Sequence, residues 1–219
     1  MSAVTAVATH DDPHAGGHAT GGISNPILGM ILFICSEVMF FAGLFAAYFN
    51  VRATAPVWPP AASLTSIPQV SKEMAEKFNL HASPWFALVL TILLVASSFT
   101  CQLGVWAIRR GDRRGLVRAF GLTLVLGVTF LLGQAYDYSQ LGFGLSDTQF
   151  GSTFFTLTGF HGAHVFAGAI MLSVVLYRAM SGQFSAKHHD AVEATSLYWH
   201  FVDVVWVGLF SILYIIPSK

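Results

Sequence analysis

The sequence predicts an all-α integral membrane protein whose chain crosses the bilayer five times. Of its 219 residues, 54% are hydrophobic and only 10% are charged, whereas about a quarter of the residues of a soluble domain are charged. Five apolar runs are each long enough to cross a bilayer, which takes roughly 20 helical residues. These runs cover residues 26–50, 84–108, 116–136, 150–177 and 194–216. The segments between them are too short for a separate soluble domain, so residues 26–219 are expected to form one membrane domain.

The residues at the ends of the runs support these boundaries. Pro26 and Pro84 open the first two spans, as suits the first turn of a helix. Between the second and third spans, the segment RRGDRR (109–114) is expected to be a short turn in water. A polar segment with four prolines separates the first two spans (51–83), and a short surface helix is expected around 71–78.

The N-terminal segment 1–25 is small and polar, and it is expected to be a disordered tail. It lacks the basic stretch and apolar core of a cleaved signal peptide. Its histidines, His10, His14 and His18, lie among glycines. Metal binding by these histidines is the alternative interpretation.

The distribution of lysine and arginine predicts the orientation of the chain. The side that holds the N-terminus carries seven of the eleven basic residues, and the other side carries four. The seven are Arg109, Arg110, Arg113, Arg114, Arg118, Arg178 and Lys187. Because positive residues collect on the cytoplasmic side, the N-terminus is expected in the cytoplasm and the C-terminus outside. The net charge is zero, so nothing indicates nucleic-acid binding.

Glu37 is the only acidic or basic residue in the first span. It stands roughly 15 Å from either end of its helix, too deep to reach water by extending its side chain. An ionised carboxylate in hydrocarbon costs at least ~2.5 kcal/mol, so Glu37 is expected to be protonated, paired, or beside water. Gly29, Ser36 and Gly43 form a stripe of small residues that favours close approach of another helix. Glu37 lies about one helical step from this stripe, at the margin of the predicted helix contact.

The fourth span contains two histidines at i, i+3 spacing, His161 and His164, which are predicted to share one face of the helix. Such a pair is able to ligate a metal ion, although a hydrogen-bonded polar cluster is the preferred interpretation. Further metal ligands at similar depth would have to come from Glu37, His200 and Asp203.

The fifth span repeats the i, i+3 spacing with His200 and Asp203. This pair is expected either to neutralise itself or to bridge to the fourth helix. In the third span, Asp137 is close enough to the end to reach the outer interface. From the residues alone, the sequence therefore predicts a five-helix bundle with one buried acid–histidine cluster, formed by Glu37, His161, His164, His200 and Asp203.

Residue patterns alone leave the function open between classes. One alternative is a self-contained proton channel or transporter built on the acid–histidine cluster. A self-contained electron-transfer protein is disfavoured, because three intramembrane histidines and two cysteines far apart in sequence are too few ligands for a multi-metal centre.

Five motifs together resemble subunit III of the haem–copper oxidases, most closely the bacterial cytochrome c oxidase form. They occur in order, one in each span, between about residues 25 and 216. They are SEVMFFAGLFAAYF (36–49), ASSFTCQ (96–102), LGQAYDY (132–138), GSTFFTLTGFHGAHV (151–165) and YWHFVDVVW (198–206). The last two motifs are highly specific, and the chain resembles the five-helix rather than the seven-helix form.

The resemblance implies an accessory subunit with no catalytic residue and no redox cofactor of its own. Haem and copper would belong to partner subunits I and II, and the complex would take electrons from cytochrome c. A quinol oxidase or a nitric-oxide-reductase-like complex remains the nearest alternative.

The resemblance also implies a structural role for the subunit. It would bind phospholipid in a cleft between the first two helices and the other three, stabilise the catalytic subunit and support proton uptake. The family's membrane acid and paired histidines correspond to Glu37, His161 and His164, and its lipid-phosphate arginine corresponds to Arg178. Asp137 stands where many relatives carry glutamate.

Overall fold

The five predicted spans are confirmed by the five long helices of the structure. The computed structural model describes residues 23–55, 84–141, 143–146 and 148–215. Its helices, each long and apolar enough to cross a membrane, are α1 (Asn25–Thr54), α2 (Pro84–Arg109), α3 (Arg113–Gln140), α4 (Gln149–Met180) and α5 (Asp190–Phe210). A π-helical turn, Ser211–Ile215, extends α5. The predicted tail (1–25, apart from its last three residues) and the predicted helix at 71–78 lie outside the described residues.

The turn between α2 and α3 is as short as the sequence predicts. Gly111 has a φ of +79°, a left-handed conformation that favours glycine, and this allows the chain to reverse. Asp112 then caps α3, because its Oδ1 accepts a hydrogen bond of 2.9 Å from the backbone N–H of Gly115. So tight a reversal makes α2 and α3 antiparallel neighbours.

The contacts between helices do not set the first two helices apart from the other three, as the expected cleft would require. The most extensive helix interface joins α2 to α3, and α2 also packs on α5. By contrast, α1 packs against α4 and α5. This packing does not show the expected cleft, because the short turn after α2 ties that helix to α3 rather than to α1.

The face of α1 that packs inside the protein is not its small-residue stripe. Gly29, Ser36 and Gly43 are not buried, and a Cβ placed at either glycine would meet nothing within 4 Å. The inward face instead carries Phe41 and Tyr48, each only 2% exposed. These two aromatic residues stand seven positions apart, the spacing of one helix face. Large side chains, rather than close backbone approach, therefore hold α1 in place.

Trp199 on α5 is the residue around which the other helices assemble. It is fully buried, and its indole N–H donates to the Ser97 hydroxyl of α2 at 2.9 Å. A Cβ at Gly127 of α3 would stand 2.5 Å from the indole, and one at Gly168 of α4 would stand 2.9 Å from it. Two glycines and one serine thus make room for a single large side chain at the centre of α2–α5.

Candidate functional site: intramembrane acids and histidines

The carboxyl group of Glu37 on α1 meets a histidine of α4. Its Oε2 lies 3.0 Å from Nε2 of His164. Both side chains are mostly buried, with 20% of Glu37 and 16% of His164 exposed. The rings of Phe40 and Phe41 flank the histidine, and the centroid of the Phe41 ring lies 5.0 Å from that of the imidazole. Of the two histidines of α4, it is His164 that meets Glu37.

The contact of the second ring nitrogen of His164 determines how many protons the Glu37–His164 pair holds. Nδ1 lies 2.7 Å from the carbonyl oxygen of Phe160. A carbonyl only accepts, so Nδ1 carries a proton, and a neutral ring then leaves Nε2 as an acceptor. The bond to Glu37 therefore requires one further proton, held either as a neutral carboxyl group or as an imidazolium beside a carboxylate. In both forms the pair is neutral overall, which makes its burial in the membrane tolerable.

His161 points away from this pair, so the expectation that both histidines share one face is wrong. It is fully buried, and its ring stacks on Trp206 of α5 at 4.9 Å and meets Phe130 of α3 edge-on at 5.8 Å. Neither ring nitrogen has a hydrogen-bond partner among the described residues. Positions i and i+3 differ by about 60° around a helix, and here this angle separates the bundle interior from the surface that receives α1.

His200 bridges to α2, whereas it was expected either to pair with Asp203 or to bridge to α4. Its Nδ1 lies 2.6 Å from the Ser98 hydroxyl, and its Nε2 lies 3.2 Å from the side-chain oxygen of Gln102. Asp203, one turn on, is 5% exposed, and within the described residues neither of its oxygens has a hydrogen-bond partner. Both side chains line a groove of about 420 Å³ between α2 and α5, with mainly apolar residues around them.

The five predicted site residues are thus divided among three places rather than gathered into one cluster. In the part of the chain that the structure describes, no three side chains of His, Cys, Asp or Glu are placed to hold a metal ion. Glu37 and His164 join α1 to α4, His161 lies inside the bundle, and His200 and Asp203 lie between α5 and α2.

A polar network that the sequence did not single out as a site joins α3 to α4. The Tyr138 hydroxyl donates to the Thr158 hydroxyl at 2.6 Å, and the Gln134 amide donates to the Thr158 carbonyl at 3.0 Å. Gln134 is 6% exposed and Thr158 is 2% exposed. The i, i+4 spacing of Gln134 and Tyr138 is a signal visible in the sequence, since two polar side chains on one face of an apolar helix need a partner.

The two remaining predicted residues lie near the ends of helices. Asp137 is partly buried in the last turn of α3, and its side chain has no ion pair within the described ranges. Arg178 lies in the last turn of α4, where its Nε donates to Gln183 at 2.9 Å and its guanidinium lies 4.8 Å above the ring of Phe184. Arg178 therefore holds the loop after α4 in place.

The fold and these sites define a multi-pass membrane protein whose intramembrane acids and histidines lie at separate helix contacts. The family model described as "Cytochrome c oxidase subunit III" matches residues 7–218. The chain is 45% identical over 195 residues to "Cytochrome c oxidase subunit 3" of Corynebacterium diphtheriae, which covers 86% of this chain and 87% of that protein. It is 39% identical over 208 residues to the protein of the same name from Synechocystis, and this match covers 91% of this chain and 81% of that protein. The "Probable cytochrome c oxidase subunit 3" of Mycobacterium tuberculosis is 42% identical over 193 residues, covering 86% and 87%. The chain belongs to the cytochrome c oxidase subunit III family.

Proposed function

We propose that this chain is subunit III of a bacterial cytochrome c oxidase, an accessory subunit that stabilises the catalytic subunit. Its family membership and the names of its relatives support the assignment to the complex. The observation that carries the accessory role is the use of the intramembrane acids and histidines at separate helix interfaces. Side chains used in this way join helices, whereas a redox centre requires ligands that converge on one point.

The proposed partners are oxidase subunits I and II, which would hold the haem and copper. The complex would accept electrons from cytochrome c and reduce oxygen to water. This chain would contribute no redox cofactor and no catalytic residue, and it would bind no nucleic acid. Within the complex it would support proton uptake, with the Glu37–His164 pair keeping α1 attached to the bundle.

The chain is a multi-pass membrane protein, and we place it in the bacterial cell membrane with its N-terminus in the cytoplasm. In that orientation Arg178 lies at the cytoplasmic headgroup layer, since it stands in the last turn of α4. Its Nε donates to Gln183, so Nη1 and Nη2 are the nitrogens suited to a lipid phosphate at this depth. Bound phospholipid is therefore part of the proposed function.

The assignment is tested by purifying the full-length chain in mild detergent through an affinity tag. We expect haem absorption bands in the purified material and oxygen consumption driven by reduced cytochrome c. Oxidation of a quinol without oxidation of cytochrome c would instead assign the chain to a quinol oxidase. Purification without any haem protein would contradict the assignment to an oxidase.

A second test separates an accessory subunit from an independent proton carrier. The chain alone is reconstituted into vesicles that contain a pH-sensitive dye. We expect proton flux no greater than that of protein-free vesicles. Flux that depends on Glu37, lost in Glu37→Gln, would overturn the accessory role.

A further inference from the structure

The groove between α2 and α5 lies at mid-depth in the membrane. Its volume is about 420 Å³, and small-molecule sites typically occupy about 300–1,000 Å³. The residues that line it run from Val95 to Gln102 on α2 and from His200 to Val207 on α5, about 10.5 Å of each helix. Asp203 stands roughly 20 Å along α5 from the first residue of that helix. The groove is therefore surrounded by hydrocarbon rather than by lipid headgroups.

The groove is open toward the lipid-facing side of the bundle. Two of its lining residues, Phe99 on α2 and Val204 on α5, are 69% and 70% exposed. In a membrane these side chains face the hydrocarbon layer. A molecule dissolved in that layer can thus enter from the side, without passing between buried helices.

Two hydrogen-bonding groups of this groove are not used inside the protein. The side-chain oxygen of Gln102 meets Nε2 of His200 at 3.2 Å, whereas its amide nitrogen has no hydrogen-bond partner in the described part of the chain. Asp203 is 5% exposed, and both of its oxygens lack a partner among the described residues. An unpaired polar group in hydrocarbon is costly. Both groups therefore favour a ligand that forms hydrogen bonds.

The two unused groups lie on opposite sides of the contact between Ser98 and His200. On α2, Gln102 is four residues beyond Ser98, about 6 Å along the axis. On α5, Asp203 is three residues beyond His200, about 4.5 Å along the axis. The two helices are antiparallel, since two spans lie between them in the chain. These displacements are therefore in opposite directions, and the two groups stand roughly 10 Å apart across the membrane.

We propose that this groove binds the ring of a membrane-soluble quinone. A para-quinone carries one carbonyl oxygen at each end of a flat apolar ring, and a carbonyl oxygen only accepts hydrogen bonds. The amide N–H of Gln102 donates to one of these oxygens. The carboxyl group of Asp203, which is neutral while it has no partner in hydrocarbon, donates to the other. Phe99 and Val204 supply apolar contact to the ring and its tail. The quinone is bound here without electron transfer.

Other components of the hydrocarbon layer satisfy only part of this arrangement. A phospholipid keeps its polar head at the membrane surface and presents acyl chains at this depth, which accept no hydrogen bond. A fatty acid or a long-chain alcohol carries its polar atoms at one end and reaches only one of the two groups. A transmembrane helix of another subunit is about 20 residues long, whereas the lined part of each helix is only about two turns.

A quinone site in this groove requires a membrane but does not require the chain to belong to an oxidase. A failed quinone test leaves the proposed subunit assignment standing. Purification without haem leaves the quinone test valid. The two proposals are thus separable by experiment.

The test measures quinone binding to the full-length chain purified with its associated subunits. An azido-substituted benzoquinone is cross-linked by light, and the labelled peptides of this chain are identified by mass spectrometry. Duroquinone and durene then compete with the label; durene has the same tetramethyl ring without the two oxygens. We expect labels within 95–102 or 200–207. Duroquinone should compete at least about 10-fold better than durene, because only duroquinone accepts hydrogen bonds.

A groove-filling variant and its control locate the site. Val204→Trp places a large ring in the groove from the lipid side and changes no polar group. The control is Val125→Trp, because Val125 on α3 is similarly exposed, at 61%, and does not line the groove. We expect affinity for duroquinone to fall at least about 10-fold in Val204→Trp and to change by less than about 2-fold in the control.

A third variant tests the hydrogen bond from Asp203. Asp203→Leu removes the carboxyl group with little change in size, so affinity for duroquinone should fall about 5-fold while that for durene stays the same. Thermal unfolding of each purified complex shows whether the variant has folded. If Asp203→Leu does not fold, the Val204→Trp result and the comparison with durene decide the matter.

Three results would overturn the proposal. Absence of label on this chain would show that another subunit or a lipid covers the groove. Equal competition by durene and duroquinone would mean that apolar molecules merely partition there. Equal losses in Val204→Trp and Val125→Trp would show that the quinone binds elsewhere.

Discussion

The bond between Glu37 and His164 shows how a carboxyl group is accommodated at mid-span. His164 is held by the Phe160 carbonyl at 2.7 Å, so its other nitrogen has a fixed direction toward α1. One proton between Glu37 and this nitrogen keeps the pair neutral. The acid thus attaches α1, which is otherwise mostly exposed, to the rest of the bundle.

Glu37→Gln and Glu37→Ala should therefore behave differently. Glutamine keeps the length of the side chain and donates from its amide to the unprotonated nitrogen of His164, so assembly should be nearly intact. Alanine leaves His164 without its partner and should cost about 1–3 kcal/mol. The measurement is thermal unfolding and lipid content of the protein purified with its partner subunits.

The proposed accessory role also predicts the enzymatic activity of complexes that contain these two variants. Both should retain oxidase turnover in the first seconds of an assay, because Glu37 touches no redox centre in the proposed function. A variant that keeps its haem and copper but shows no initial turnover would make Glu37 catalytic. An infrared band of a protonated carboxyl group at pH 7 that is lost in Glu37→Gln would identify the neutral form of the pair.

The two histidines of α4 should respond differently to replacement by phenylalanine. His161→Phe keeps the ring stacked on Trp206 and removes no hydrogen bond seen in the described residues, so the free energy of unfolding should change by less than about 1 kcal/mol. His164→Phe leaves Glu37 unpaired and should cost about 1–3 kcal/mol. Thermal unfolding of the two variants provides the comparison. Equal destabilisation would mean that His161 has a polar role of its own.

At the scale of elements, the helices meet where small residues receive large ones. Gly127 on α3 and Gly168 on α4 accommodate the indole of Trp199 on α5, and Ser97 on α2 binds its N–H. Because there is no water to exclude between helices in a bilayer, close packing and hydrogen bonds must supply the attraction. Trp199 supplies a hydrogen bond to α2 and close packing to α3 and α4.

Adding one methyl group beside Trp199 should loosen the bundle. In Gly127→Ala, the new Cβ would lie 2.5 Å from the rigid indole, so α3 or α5 must shift. We expect a loss of about 1–3 kcal/mol in thermal unfolding. Gly121→Ala, on the same helix but with nothing within 4 Å, is the matched control and should not lower stability. Trp199→Phe should partly rescue Gly127→Ala, and equal effects of the two alanines would refute a special role for the Gly127–Trp199 contact.

At the scale of the whole molecule, the proposed orientation follows from charge. The turn after α2 and the loop after α4 lie on the same side of the membrane, since two spans separate them. Together with the adjoining turns of α2, α3 and α4, they carry seven of the eleven basic residues. Because positive loops remain in the cytoplasm, both are expected there.

Cysteine labelling in intact cells tests this orientation. In a background lacking the two native cysteines, single cysteines replace Gly111 or Ser185. A membrane-impermeant reagent should label neither in intact cells and both after the membrane is opened. A cysteine at Ser63, between the first two spans, should be labelled from outside in either case. Labelling of the Gly111 or Ser185 variant in intact cells would reverse the orientation.

Sequence alone determined the number and approximate positions of the helices, because crossing a bilayer is a local property of length and composition. The runs 84–108 and 150–177, for example, lie within α2 and α4. It also indicated which residue types need partners, since Glu37 and the histidines of α4 stand in apolar surroundings. The resemblance to the oxidase subunit rested on motifs that lie within these same helices.

Only the tertiary structure decided which partners those residues meet. Helical periodicity tells which side chains share a face, but not which neighbouring helix the face touches. The turn at Gly111 ties α2 to α3, and the large side chain of Trp199 brings α5 against α2, α3 and α4. That packing directs His164 toward α1 and His161 toward Trp206, and it turns His200 toward Ser98. The expected single cluster is divided for this reason: contacts between distant parts of the chain depend on packing, which no local pattern contains.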